Sequence, residues 1–125
     1  MKTNSFGSLV YTPETAAGEA ISKVESHTPK IEAPATIEAG KMFEVRITVG
    51  PHPNLVEHSI RRIELYFKED DRPFNPVLIG AVNLTPVYSE PVVKLSLKLN
   101  KGGVLLAVEY CNLHGLWEGH KEVKM

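Results

Sequence analysis

The chain has 125 residues, of which 42% are hydrophobic, 14 are basic and 15 are acidic. This length suits one domain with its own core, and the net charge of −1 gives no general field favouring a nucleic acid or an anionic membrane as partner. No stretch approaches the roughly 20 apolar residues of a membrane span and no signal-peptide pattern opens the chain, so we expect one cytoplasmic domain over residues 1–125.

The first predicted element is a short helix in an N-terminal arm. Thr12, Pro13 and Glu14 have the order of an N-cap, a first-turn proline and a first-turn acid, which predicts a helix over Thr15–Val24. Gly18 weakens this prediction because glycine is a poor helix former. The first thirty residues show no alternation of period two, so the arm is predicted to lie outside the sheets.

From residue 41 onward the hydrophobic pattern is that of β-strands. Apolar and polar residues alternate over three segments, Phe43–Val49, Ile63–Lys68 and Val93–Leu99. Two apolar runs have the length of buried strands, Val77–Val82 and Val104–Tyr110. Turn-forming residues separate these segments at Gly50-Pro51, Asp70 to Pro73, Thr85-Pro86 and Asn100 to Gly103. The spacing predicts an all-β domain, an antiparallel sandwich with a short N-terminal arm.

The single cysteine, Cys111, directly follows the last predicted strand and cannot form an internal disulfide. His114 comes three residues later, and a turn after a strand can direct a thiolate and an imidazole at one metal ion. Three more histidines, His27, His52 and His58, are predicted to lie in loops, where side chains can converge at one end of a sandwich. The fifth, His120, falls in a polar tail and is predicted to be solvated.

Three separated segments resemble those of the superoxide reductase family, of the neelaredoxin type. The segment ESHTP, residues 25–29, resembles the family's Glu-Lys-His-x-Pro segment. The segment HPNLVEH, residues 52–58, resembles its pair of histidines six positions apart, and CNLHGLW, residues 111–117, resembles its carboxy-terminal cysteine and histidine segment. The order of the three segments makes the resemblance, from about Glu25 to Trp117, highly specific.

The resemblance implies an immunoglobulin-like β-sandwich that reduces superoxide to hydrogen peroxide at one non-haem iron ion, cycling between Fe(II) and Fe(III). It implies four equatorial histidines and one axial cysteine as ligands: His27, His52, His58, His114 and Cys111. It also implies that Glu25 can occupy the sixth position in the oxidised resting state. An external electron donor of the rubredoxin kind and a homotetramer are further implications.

One residue departs from the family pattern. The family usually has a lysine between the glutamate and the histidine of its first segment, and this chain has Ser26 there. That lysine is associated with attracting the superoxide anion and with holding water near the iron. The ligand set is unaffected, but we expect the protein either to bind superoxide more slowly or to use a substitute cation, which Lys23, Lys30 or a lysine elsewhere would supply.

Other kinds of protein also fit parts of the pattern. A blue-copper electron carrier places a cysteine and a histidine on a β-sandwich, but such sites usually have a methionine soon after the histidine, and none follows His114 before Met125. A structural zinc site would have one donor too many, since zinc usually takes four ligands. An immunoglobulin-like binding module would leave the three ordered segments unexplained. Trp117 is predicted to be a buried aromatic beside the metal loop.

Overall fold

The computed structural model describes residues 4–125 and has two antiparallel β-sheets. Three strands form one sheet in the order β1-β2-β5, with bounds Lys30–Glu32, Phe43–Thr48 and Val92–Leu97. Four strands form the other in the order β4-β3-β6-β7, with bounds Val77–Asn83, Ile60–Glu69, Gly103–Cys111 and Gly115–Val123. The prediction of an all-β antiparallel sandwich is confirmed.

The core is formed by the inward-facing residues of the alternating strands. Its most buried aliphatic side chains, at most 1% exposed, include Val45, Ile47, Ile63, Leu65 and Leu105. Burying a side chain of this kind contributes about 1.5–3 kcal/mol, so the alternation fixes which face of each strand points inward. On β6 every second residue from Gly103 is buried, and the last of these is Cys111.

The N-terminal arm differs from the prediction of a helix over Thr15–Val24. Two 3₁₀ helices, Phe6–Leu9 and Gly18–Lys23, are followed directly by helix α1, Val24–His27. Gly18 has a φ of +63°, so a right-handed helix cannot continue from Thr15 through Gly18. The Thr12 hydroxyl accepts a hydrogen bond from the Thr15 N–H at 3.1 Å, which closes a turn and does not start a helix. No helix within residues 4–125 has the length and hydropathy of a membrane span.

The prediction of a polar tail after Trp117 is wrong, because the residues that follow Trp117 belong to strand β7. This strand pairs with β6 along its length, from Gly103 opposite Val123 to Cys111 opposite Gly115. The alternation of apolar and polar residues along β7 is interrupted at Gly119. This glycine occupies an inward position, where a Cβ would collide with the Pro29 carbonyl. His120 lies on the exposed side of β7, as predicted.

The arm is attached to the same strand, close to its first residues. The Tyr11 N–H donates to the Leu116 carbonyl at 2.9 Å, and the Glu118 N–H donates to the Tyr11 carbonyl at 2.9 Å. The Tyr11 ring stacks on Trp117 with 4.8 Å between the ring centroids. These contacts place the arm beside the turn between β6 and β7.

Candidate metal centre

The five predicted iron ligands come from segments that meet at one end of the sandwich. His27 is the last residue of α1, and His52 and His58 lie in the loop between β2 and β3. Cys111 ends β6, and His114 lies in the turn that leads into β7. Because β3 begins where β6 ends, with Ile60 opposite Cys111, the antiparallel register brings the loop and the turn together.

Four of these side chains form a compact group of potential ligand atoms. One atom from each of His27, His52, His58 and Cys111 lies within 4.8 Å of the others. The Nε2 atoms of His27 and His52 are 3.2 Å apart, and the Cys111 Sγ is 3.5 Å from the His52 Nε2. His114 lies beside the group, with its Nδ1 3.8 Å from the sulfur. The group can therefore converge on one ion.

The four imidazole rings are arranged in a closed cycle, in which each ring meets two others edge to face. The centroid distances around the cycle are 4.6 Å from His27 to His52, 4.6 Å from His52 to His58, 5.1 Å from His58 to His114 and 5.0 Å from His114 to His27. Such a cycle fits four imidazole ligands around a common centre, with the sulfur as a fifth donor.

Hydrogen bonds fix which ring nitrogens are free to bind a metal. The His52 Nδ1 lies 2.7 Å from the Pro53 carbonyl, and the His27 Nδ1 lies 3.1 Å from the Lys23 carbonyl. Because a carbonyl can only accept, each Nδ1 carries the proton and each Nε2 keeps its lone pair for a metal. The Nε2 of His58 is buried and has no hydrogen-bond partner in the described part of the chain, as expected for an atom that would bind a metal ion.

The surroundings lower the pKa values of three of the histidines, which favours the neutral form that metal binding requires. Burial, and after it repulsion from His52, lowers the pKa of His27 to about 4. Burial also lowers the pKa values of His52 and His114. For Cys111, burial raises the pKa of the thiol, whereas the backbone N–H groups of Leu113 and His114, which donate to the sulfur, lower it. The same two donors would stabilise a metal-bound thiolate.

Trp117 is 1% exposed and supports the metal loop, which confirms the prediction of a buried aromatic there. Its Nε1 donates to the His114 carbonyl at 3.0 Å, and its ring lies 5.2 Å from the ring of His27. A groove beside the site is lined by Lys23, Leu113, His114 and residues of the arm, including Tyr11. Among the predicted ligands, His114 lines this groove.

Glu25 lies at the rim of the site and not within the compact group. Glu25 is exposed, and in the sequence it lies one position before Ser26 and two before His27. The backbone carbonyl of Glu25 accepts a hydrogen bond from the Lys30 ammonium at 2.9 Å, and the same ammonium donates to the Gly50 carbonyl at 3.0 Å. Lys30 therefore connects the segment of His27 to the turn before His52, a contact that the sequence pattern did not reveal.

The donor set can be compared with the preferences of metals. Five donors, four imidazoles and one thiolate, exceed the usual four of structural zinc. A blue-copper site would need a weak axial donor such as methionine, whereas Met42 is 65% exposed and Met125 lies near Asp70 and Gly102, at the other end of β6. The set fits a mononuclear non-haem iron.

The chain matches the desulfoferrodoxin family over residues 19–120. A solved structure of the superoxide reductase (neelaredoxin) from Ignicoccus hospitalis is 63% identical, with 97% of this chain and 98% of that one covered and a TM-score of 0.91. The superoxide reductase of Pyrococcus furiosus is 39% identical over 110 residues, which cover 77% of this chain and 86% of that protein. The neelaredoxin of Megalodesulfovibrio gigas is 36% identical over 118 residues, covering 82% and 90%.

Proposed function

Since the chain belongs to the desulfoferrodoxin family and is a superoxide reductase, we propose that it reduces superoxide at one iron ion held by His27, His52, His58, His114 and Cys111. The closed cycle of four imidazoles beside a buried thiol is the observation that carries this proposal. The unpartnered Nε2 of His58 supports it further.

Superoxide must gain one electron and two protons to leave as hydrogen peroxide. When bound, iron supplies the electron by passing from Fe(II) to Fe(III) and offers a position at which the small anion can bind. The chain's own groups prepare this step. With neutral imidazoles and one thiolate as ligands, a bound ferrous ion would leave the site with a net positive charge, which would attract an anion. The Leu113 and His114 N–H groups donate to the sulfur and would stabilise the thiolate. We assign Glu25 as the carboxylate that fills the remaining position in the oxidised resting state.

Each turnover consumes an electron, so an external one-electron donor is required, and we propose a protein of the rubredoxin kind. His114 is only partly buried, which supports electron entry at the surface of its turn. We further propose that residues 1–125 form one domain, that this domain assembles as a homotetramer, and that it works in a reducing compartment such as the cytoplasm, where its thiol stays available.

Metal analysis of matched histidine variants tests the ligand assignment. The unsubstituted protein should contain about one iron per chain, and His52→Ala or His58→Ala should lower the iron content or the stability of the iron-bound form. His120→Ala is the matched control, because His120 is exposed on β7. A larger loss of iron in His120→Ala than in the other two variants would overturn the assignment.

Cys111→Ser tests the role of the sulfur. This variant should lose the visible thiolate-to-iron charge-transfer band of the oxidised protein together with superoxide reduction, even where some iron stays on the histidines. If both the band and the activity persist, Cys111 is not a ligand.

A further inference from the structure

Asn112 directly follows the proposed ligand Cys111, in the turn that leads to His114. Its side chain contacts both neighbours of His58. The Asn112 Nδ2 donates to the Glu57 carbonyl at 2.9 Å, and the Asn112 Oδ1 accepts from the Ser59 N–H at 2.9 Å. The Asn112 N–H also donates to the Ser59 carbonyl, at 3.3 Å. One residue thus makes three hydrogen bonds to the two residues that flank His58.

These bonds are made where the regular sheet ends. The β3–β6 ladder stops at Ile60 and Cys111, and Asn112 continues the pairing by one residue with its backbone and its amide. Ser59 is fully buried, so its N–H and carbonyl have no access to water and require partners within the protein. Asn112 supplies both of them.

Other side chains also attach the loop that carries His58. The Asn54 amide makes hydrogen bonds of 2.7–3.4 Å to the segment 87–90 between β4 and β5. Arg61 donates to the Ser59 hydroxyl and to the Val56 carbonyl, each at 2.6 Å. Asn112 differs from both because its side chain bonds the two residues that flank His58 and it is itself the neighbour of Cys111. It therefore links the position of His58 directly to that of Cys111.

We propose that Asn112 is a positioning residue: its hydrogen bonds to Glu57 and Ser59 fix the position of the His58 imidazole relative to the Cys111 thiolate. The proposal rests on the assignment of His58 and Cys111 as ligands. Within residues 4–125 the buried Nε2 of His58 has no hydrogen-bond partner, so the ring is positioned by its backbone and by its packing against His52 and His114. Residues that orient metal ligands in this way change metal affinity by about 10–100-fold when they are replaced.

A double-mutant cycle with His58 tests this role. Asn112→Ala should weaken ferrous iron binding at least about tenfold, measured by competition with a chelator, and should broaden the charge-transfer band of the oxidised protein. In a His58→Ala background the same substitution should change the affinity by less than about twofold, because the coupling between two residues vanishes when one of them is removed. An equal loss in both backgrounds would overturn the proposal.

The metal-free protein gives a second readout. Hydrogen exchange of the Ser59 amide should speed up in Asn112→Ala, because its acceptor is lost. Asn112→Asp keeps the Oδ1 acceptor and loses the donor to Glu57, so it should retain protection of Ser59 while still lowering iron affinity. This variant also decides the matter if Asn112→Ala fails to fold, and unchanged iron affinity in Asn112→Asp would then overturn the proposal.

Asn75→Ala is the matched control. The Asn75 amide makes a similar bridge to the Glu69 N–H and carbonyl, at 3.0 Å and 3.1 Å, at the opposite end of β3. It should leave the iron affinity unchanged, so an equal loss there would point to general loosening of the sheet and overturn the proposal. If His58→Ala alone leaves the iron affinity unchanged, the ligand assignment fails, and that result is distinct from a failure of Asn112 to act through His58.

Discussion

Glu109 has a carboxyl group enclosed in the core, and its replacement should stabilise the protein. The residue is 0% exposed, on the inward face of β6, and neither of its oxygens has a hydrogen-bond partner within the described residues 4–125. Burial raises its pKa to about 9, so at pH 7 the folded protein holds a neutral carboxylic acid there. A buried polar group without a partner costs about 1–3 kcal/mol.

We therefore expect Glu109→Met, which keeps the length of the side chain and removes both oxygens, to increase the free energy of unfolding by about 2 kcal/mol. In urea unfolding of the metal-free protein at pH 7, the midpoint should rise by about 1 M, since m is about 1–3 kcal/mol per M for a small domain. Glu109→Gln keeps an unpaired polar group and should gain less.

The matched control is Glu44→Met, at an exposed position of β2, which should change the free energy of unfolding by less than about 0.5 kcal/mol. A loss of more than about 1 kcal/mol in Glu109→Met, with m unchanged, would refute the reasoning. It would mean that the carboxyl has a stabilising partner, such as an ordered water.

Four further outcomes follow from single side chains. Glu25→Ala should shift the ferric absorption band and its response to pH while the ferrous protein still consumes superoxide, and an unchanged ferric spectrum would contradict the sixth-ligand assignment. Lys23→Met should slow superoxide capture about fivefold at low salt, because a charge about 5 Å away contributes roughly 1 kcal/mol in water. The difference should shrink as salt is added, which pulse radiolysis at two salt concentrations measures. Equal rates for the variant and the unsubstituted protein at both concentrations would exclude Lys23 as the guide. Ser26→Lys should raise the same rate only if Lys23 does not already guide the anion. Burial, and then the Glu64 carboxylate, raise the pKa of Tyr66, so the stability of the protein should fall as the pH rises above about 10. Glu64→Gln should lower the pKa of Tyr66 in an NMR titration. An unchanged pKa would leave burial as the whole cause.

The sandwich could be predicted because its strands have a readable pattern. Residues such as Val45, Ile47 and Ile63 recur at every second position and face the core, and burial of that face decides the register. Strand β7 could not be found in this way, since Gly119 replaces an inward apolar side chain where the Pro29 carbonyl approaches. The start of the first helix was missed because the left-handed backbone of Gly18 is a property of the folded chain.

The ligand set remains a prediction that the three motifs imply through the family resemblance, and it could be named because metal ligands must have particular side chains. The contacts that support these side chains could not be predicted from the sequence. Asn112 and Lys30 act through backbone carbonyls and amides, which every residue offers, so no residue type marks their partners Glu57, Ser59 and Gly50. Such contacts depend on which segments meet in space.

The contacts of Ser26 and of the two nearby lysines bear on how a chain without the family lysine could guide its anion. The Ser26 hydroxyl lies 2.8 Å from the His27 Nδ1, so the residue that replaces the lysine contacts a proposed ligand and helps to orient it. The Lys30 ammonium is held between two backbone carbonyls, and moving it toward an anion would break both hydrogen bonds. Lys23 lines the groove beside the metal turn, and its charge, after burial, contributes to the lowered pKa of His114. Of the two lysines, Lys23 can therefore meet an incoming anion without giving up a structural contact, while Ser26 and Lys30 keep the first histidine and its loop in place.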